Sequence, residues 1–144
     1  MVTIKKLLIP TSLFIGLGLA GCGDEETLSE PLTKETVESE FGFVSFDLDI
    51  DTAETRDAVE ASFDMDAKET EAEYVNRIES KELYGDDAYN YLKPIFKNLN
   101  LQKNMEQEEV IKKVLKEFNV SDYVEFELDI EYEDGSETEY RDKK

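Results

Sequence analysis

The chain has 144 residues, 36 of them acidic and 16 basic, for a formal net charge of −20. A surface of that sign repels nucleic acid and anionic lipid headgroups and attracts cations and basic proteins. There is no His, no Trp and a single Cys, which removes the commonest general base and metal ligand, a common sugar-stacking ring and any intramolecular disulfide.

The N-terminus opens with Lys5 and Lys6, then an apolar run over residues 7–19 interrupted by Pro10, Thr11 and Ser12. Ala20 and Gly21 put small residues directly before Cys22. Such a run is short for a membrane span and has the charge, apolar and small-residue order of a secretory signal. Ending on Leu19-Ala20-Gly21-Cys22, it resembles a bacterial lipoprotein signal. That resemblance implies cleavage before Cys22, a thioether-linked diacylglycerol on its sulfur and N-acylation. Residues 1–21 are then the signal peptide, and the chain is held at the extracytoplasmic face of the cell membrane by lipid rather than by a span. With its only thiol acylated, no thiol remains for catalysis or metal. Residues 22–40 read as the lipidated Cys followed by a disordered acidic tether, with Pro31, several Ser and Thr, and few apolar residues.

Residues 41–144 are long enough for one domain with a modest core. Over residues 43–51, Val44, Phe46, Leu48 and Ile50 alternate with Ser45, Asp47, Asp49 and Asp51, the period-two pattern of a strand with one dry and one wet side. Thr52 to Asp57 is a looser connection. Val59, Ala61, Phe63 and Met65 then alternate with Glu60, Ser62, Asp64 and Asp66, and a weaker third run over residues 70–78 groups Ala72, Tyr74 and Ile78. Gly85-Asp86-Asp87 offers a helix N-cap. Ala88, Tyr91, Leu92, Ile95, Phe96 and Leu99 follow at spacings of three and four, and Pro94 predicts a kink or a restart within that stretch. Asn104 to Gln107 has the spacing of a capping box. Val110, Ile111, Val114, Leu115 and Phe118 give a second helical stripe, and Asn119 a C-terminal stop. Val124, Phe126, Leu128 and Ile130 then repeat the first strand position for position, again with acids between them. Two equivalent strands of one sheet are the simplest explanation of the echo; a duplication is the other, though two strands do not establish a repeat architecture. Asp134-Gly135 signals a type I′ turn, and residues 137–141 return as a terminal strand whose edge is open to strand addition.

The order of three strands, two helices and two strands predicts an α+β domain. It would be an antiparallel sheet of about five strands with both helices packed on its apolar face. The stretch Val44-to-Ile50, the segment Leu83-Tyr84-Gly85-Asp86-Asp87-Ala88, the matching Phe126-Glu127-Leu128-Asp129-Ile130 strand and the Asp134-Gly135 hairpin resemble the YusW-like family of small Bacillus-type envelope proteins, over about residues 41–142. That resemblance implies the fold and an envelope setting, and it supplies no catalytic or binding residues. The hairpins are also similar, more distantly, to PepSY-type envelope domains, which are associated with binding or inhibiting proteases.

The chemistry-bearing candidates are carboxylate ladders. Asp47, Asp49 and Asp51 share one strand face, about 6.5–7 Å apart at strand rise. Glu125, Glu127, Asp129 and Glu131 form a second ladder, and Glu60, Asp64 and Asp66 a third. If these strands are neighbours, like charges oppose across the sheet, and a hard cation such as Ca²⁺ would relieve them. The candidate metal ligands are Asp47, Asp49, Asp51, Glu127, Asp129 and Glu131. Their Asp-x-Asp-x-Asp run is no EF-hand, since Thr52 stands where the loop glycine would be and Ala58 where its last acid would be. A glycosidase dyad needs an enclosed acid with a raised pKa, and nothing in the sequence signals such a cleft. Ser45, Ser62 and Ser80 have no spacing to a Lys that would single out a hydrolase. Tyr84, Tyr89, Tyr123, Tyr132 and Tyr140 are candidates to dock a basic protein, or to cap sheet edges and helix–sheet seams. The expectation is a non-catalytic, membrane-anchored interaction module without cofactor. Its partners would be the lipid bilayer through Cys22 and a basic envelope protein. The second reading is a module that binds or senses Ca²⁺.

Overall fold

The structure, a computed structural model, describes residues 26–66 and 68–144, so the signal peptide expected over residues 1–21 and the acylation expected at Cys22 lie outside the described residues. The elements run α1 (Lys34–Phe41), β1 (Ser45–Asp51), β2 (Val59–Met65), β3 (Thr70–Asn76), β4 (Lys81–Tyr84), α2 (Gly85–Leu99), α3 (Gln107–Glu117), β5 (Glu125–Glu131) and β6 (Glu137–Lys143). The six strands form one antiparallel sheet in the order β4-β3-β2-β1-β5-β6. The domain is α+β, with one strand more than the sequence pattern predicts.

The echo has a direct structural meaning. β1 and β5 are central neighbours, with Phe46 opposite Ile130, Leu48 opposite Leu128 and Ile50 opposite Phe126. All six are buried. Alternation then forces the acids between them onto the other face, since successive side chains of a strand point to opposite sides. The helices cover the apolar face. Phe96 of α2 sits among Phe41, Phe43, Phe46 and Phe63, with ring centroids 5.4, 5.2, 4.9 and 5.7 Å away. Phe118, at the end of α3, stacks on Phe46 at 6.3 Å. Tilted and edge-on rings at these spacings add to the area they bury.

Several sequence expectations change. The tether of residues 22–40 is not free over its described part. Leu28 and Ala72 donate backbone hydrogen bonds to Thr70 and Glu26, which bridges residues 26–28 to the part of β3 that the short β4 leaves open. Past that bridge, α1 buries Val37 and Phe41, the latter edge-on to Phe63 and Phe96. Two apolar side chains one helical turn apart suffice for this, although the surrounding sequence is polar. The third run ends at Asn76 rather than Ile78. Asn76 Oδ1 accepts from the N–H groups of Ile78 and Glu79, each at 3.0 Å, turning the chain into β4 and leaving Ile78 56% exposed.

The helix termini differ too. Asp86 and Asp87 lie inside the first turn of α2, where the macrodipole favours acids, and the cap residue is Tyr84, without a side-chain cap bond. Asp86 Oδ1 instead accepts from the Ser29 N–H at 3.1 Å. Pro94 produces no restart. It and Asn90, to whose carbonyl it has no N–H to donate, both lie on the exposed side of α2, where water can serve that carbonyl. α3 starts from Glu106, not from a box at Asn104. Its end is as expected. Asn119 has φ +54, with Asn119 N–H bonded to the Lys116 carbonyl and Val120 N–H to that of Leu115, a Schellman closure. The Asp134-Gly135 turn is not type I′, because Gly135 (φ +77) has positive φ and Asp134 does not. Gly135 N–H bonds the Tyr132 carbonyl and Tyr132 N–H that of Ser136, which makes a three-residue loop with a left-handed glycine. Ser136 N–H and Oγ both bond Asp134 Oδ1, at 3.0 and 2.6 Å.

Candidate functional site

The face of the sheet opposite the helices is a field of carboxylates fixed by strand register. Across β1 and β5, Asp47 faces Asp129, Asp49 faces Glu127 and Asp51 faces Glu125. Across β1 and β2, Asp49 also faces Glu60. Like charges directly opposed on a sheet are destabilising, so the arrangement calls for neutralisation.

The β5 ladder receives it from β6. Arg141 Nη2 lies 2.7 Å from Asp129 Oδ1 and its Nε 3.8 Å from Glu127, and Lys143 Nζ is 3.0 Å from Glu125. On β2, Glu60 pairs with Arg77. The central β1 ladder is left poorest. Among the described residues its direct ion pair is Arg56 with Asp51 at 3.8 Å, and Asp47 and Asp49 have none. Their chemistry shows it. The Asp49 carboxyl is pushed up to about 7, first by burial and then by Asp57, Glu60, Asp51 and Glu127. Asp47 is raised by burial and by Asp129, with Arg141 pulling the other way. Glu73 on β3 is also raised to about 7, by burial and then by Glu26 and Glu60.

Of the six predicted ligands, Asp49 and Asp51 join one constellation, and the loop residue Asp57 completes it. One carboxylate oxygen from each of the three lies within 4.8 Å of the other two. The loop builds this return. Thr52 and Thr55 bond each other, Ala58 N–H reaches the Ile50 carbonyl, and Asp57, at φ +46, donates its N–H to Asp51 Oδ1 at 2.6 Å. That spacing suits a Ca²⁺ shell of oxygens at about 2.3–2.6 Å, with three of the six to eight ligands supplied. Asp47 and Asp129 pair one row away, Glu127 faces Asp49 from β5, and Glu131 stands opposite Ser45, two rows off. Asp57 is not among the residues the sequence pattern singles out, because it lies in a connection. Its one signal is an acid at the end of a short hairpin loop, which must return beside the strand it left.

The tyrosine candidates for docking are mostly interior. Tyr123, Tyr132 and Tyr140 are buried, and half-buried Tyr89 stacks on Phe63 at 5.9 Å. Their rings complete the helix–sheet seam and the sheet edge. The Tyr123 hydroxyl donates to Asp142 at 2.5 Å, which pushes its own pKa up to about 12. Beside that bond a shallow groove of about 470 Å³ runs between α3 and the β6 end, lined by Ile111, Leu115 and Val120 among others.

Residues 44–134 match the family model described as YusW-like protein. No curated protein and no solved structure gives a match. Among the described residues, no helix is long and apolar enough to cross a membrane.

Proposed function

The chain belongs to the YusW-like protein family, whose description names no reaction, and from that premise we propose that it is a non-catalytic envelope module, anchored through acylated Cys22 at the outer face of the cell membrane, whose bare acidic sheet face docks a basic protein segment. The observation that carries this is the un-neutralised β1 ladder at the centre of the open face. Asp47 and Asp49 bear raised pKa values with no ion pair among the described residues, so an incoming Lys or Arg would relieve a repulsion that the fold itself leaves standing.

A photo-crosslinking residue at Asp64, on the acidic face, tests this in intact cells. The expected result is a discrete protein adduct that fades when Asp47 and Asp49 are both changed to Asn. No adduct, or the same adducts from a crosslinker at Pro94 on the helical side, would end the proposal. Fractionation of Cys22→Ser tests the anchor separately, since the variant should leave the membrane fraction.

The Asp49–Asp51–Asp57 constellation favours a second reading, a divalent-cation site. Thermal unfolding with Ca²⁺, with Mg²⁺ and with NaCl matched for ionic strength separates the two. A saturable Ca²⁺ shift lost in Asp57→Asn supports a site, whereas equal shifts in all three salts mean screening alone.

A further inference from the structure

β6 is the long outer edge of the sheet. Its even-numbered residues bond inward, as shown by Lys144 N–H on the Val124 carbonyl and Ser136 carbonyl on the Tyr132 N–H. The N–H and C=O groups of Glu137, Glu139, Arg141 and Lys143 therefore point away from β5. The Arg141 carbonyl confirms the direction, since the side chain of Gln107 reaches it from outside at 3.1 Å.

The same four residues carry their side chains on the acidic face, two acids followed by two bases. We propose that β6 pairs antiparallel with β6 of a second copy of this chain about a two-fold axis at Tyr140, joining two sheets into one of twelve strands. In this register Glu137 faces Lys143 of the second copy and Glu139 faces its Arg141, so four opposite-charge pairs form. The backbone agrees, because these odd-numbered pairs are the ones whose free N–H and C=O groups can bond each other. Neighbouring registers are poorer, each keeping two opposite-charge pairs instead of four and adding a like one. A shift of two residues one way sets Glu139 against Glu139, and the other way sets Arg141 against Arg141. A parallel pairing turns the second sheet over, so it sets odd-numbered residues beside even-numbered ones and forms none of these pairs. Glu137 and Glu139 make no ion pair among the described residues, so they are available to a second copy. Arg141 and Lys143 already offset acids on β5 and would lie between two acidic strands. Gln107 is exposed, and the carbonyl it bonds has a second lone pair, so it can swing aside.

Sedimentation of the full chain in mild detergent micelles, at ionic strength near 0.15 M where long-range repulsion is screened, provides the test. The wild type should show a concentration-dependent dimer. Glu139→Arg alone and Arg141→Glu alone should each weaken it about tenfold or more, since each creates two like-charge pairs. An equimolar mixture of these two variants should recover the dimer, because every pair across a mixed dimer is again of opposite charge. If Arg141→Glu fails to fold, Glu137→Arg mixed with Lys143→Glu repeats the experiment at the more exposed end of the strand. Glu139→Pro removes an outward N–H without touching the β5 ladder and should give monomer with an unchanged circular dichroism spectrum. A monomeric wild type, a dimer indifferent to Glu139→Pro, or variants that fail to complement on mixing would overturn the proposal.

Discussion

Asp49 on β1 lies directly opposite Glu127 on β5 and, on its other side, directly opposite Glu60 on β2. Three acids in one row of a sheet would ordinarily select against the register. The register holds because the same slip that would separate them would expose Leu48, Ile50, Phe126 and Leu128, which are all buried. Burying one such side chain contributes roughly 1.5–3 kcal/mol, more than a half-exposed repulsion costs. The hydrophobic face dictates the alignment, and the charged face accepts what results.

That tension predicts a pH dependence. Asp49 rises from an ordinary 3.8 to about 7 in the folded chain, so between those values the folded state binds more protons than the unfolded state. Stability should therefore fall as pH climbs from about 4 to about 7, with the full penalty above that. Asp49→Asn should stabilise the protein at about pH 8 by on the order of 1 kcal/mol, after allowance for its half-exposed position, and should flatten the profile. Glu73, also raised to about 7, should leave a residual slope that Glu73→Gln reduces, the raised Asp47 supplying what remains. Thermal melts across this range provide the check. A wild type that gains stability toward pH 8 would refute the electrostatic picture.

Phe41 makes a sharper structural claim, because the sequence places it at the junction of tether and domain. Its ring lies 6.0 Å from Phe63 and 5.4 Å from Phe96, and it is buried. Phe41→Ala should cost about 3–5 kcal/mol in urea unfolding, and Val37→Ala a smaller amount. A flexible tether over residues 22–40 would yield no change at Val37.

What the residues reveal on their own divides along physical lines. The β1 and β5 strands are legible because period-two alternation over seven residues fits a strand and no helix, and Asn119 because few residue types suit a left-handed helix stop. α1 is not legible, since Val37 and Phe41 are its core contacts and their burial depends on a pocket built by β2 and α2. Nor is β4, since four residues are too few to establish a period. The Asp134-Gly135 pair locates a turn without fixing its type, because Asp-Gly also suits a loop in which glycine alone is left-handed. The acidic ladders are visible in the sequence. Their alignment into rows, and the return of Asp57 to Asp49 and Asp51, are properties of the pairing register and the loop.

Pro94 is a residue the fold tolerates rather than needs. It sits on the exposed side of α2 and removes one helical hydrogen bond to the Asn90 carbonyl. Pro94→Ala restores a donor there at no packing cost. The variant should be more stable by roughly 1–3 kcal/mol, read as a shift in the urea midpoint at unchanged slope. A loss of stability would mean that the proline shapes the way α2 lies on the sheet.

Two glycines separate conformational strain from crowding. Gly135 has φ +77 with open space around a would-be Cβ, whereas Gly42 has φ +82 and its Cβ would sit 3.2 Å from the Leu101 carbonyl oxygen. Gly135→Ala should cost about 1 kcal/mol, the ordinary penalty of an L-residue in the left-handed region. Gly135→Asn should recover part of it, since Asn tolerates that conformation. Gly42→Ala incurs the same strain and must also push against backbone at a point held between Phe41 and Phe43, both buried in the aromatic cluster. Its cost should exceed that of Gly135→Ala by about 1 kcal/mol or more. Denaturant unfolding of the three variants side by side measures this difference. Equal costs for the two alanine variants would show that the Leu101 segment gives way freely, and that the link between α2 and α3 is softer than its buried Leu99 and Leu101 imply.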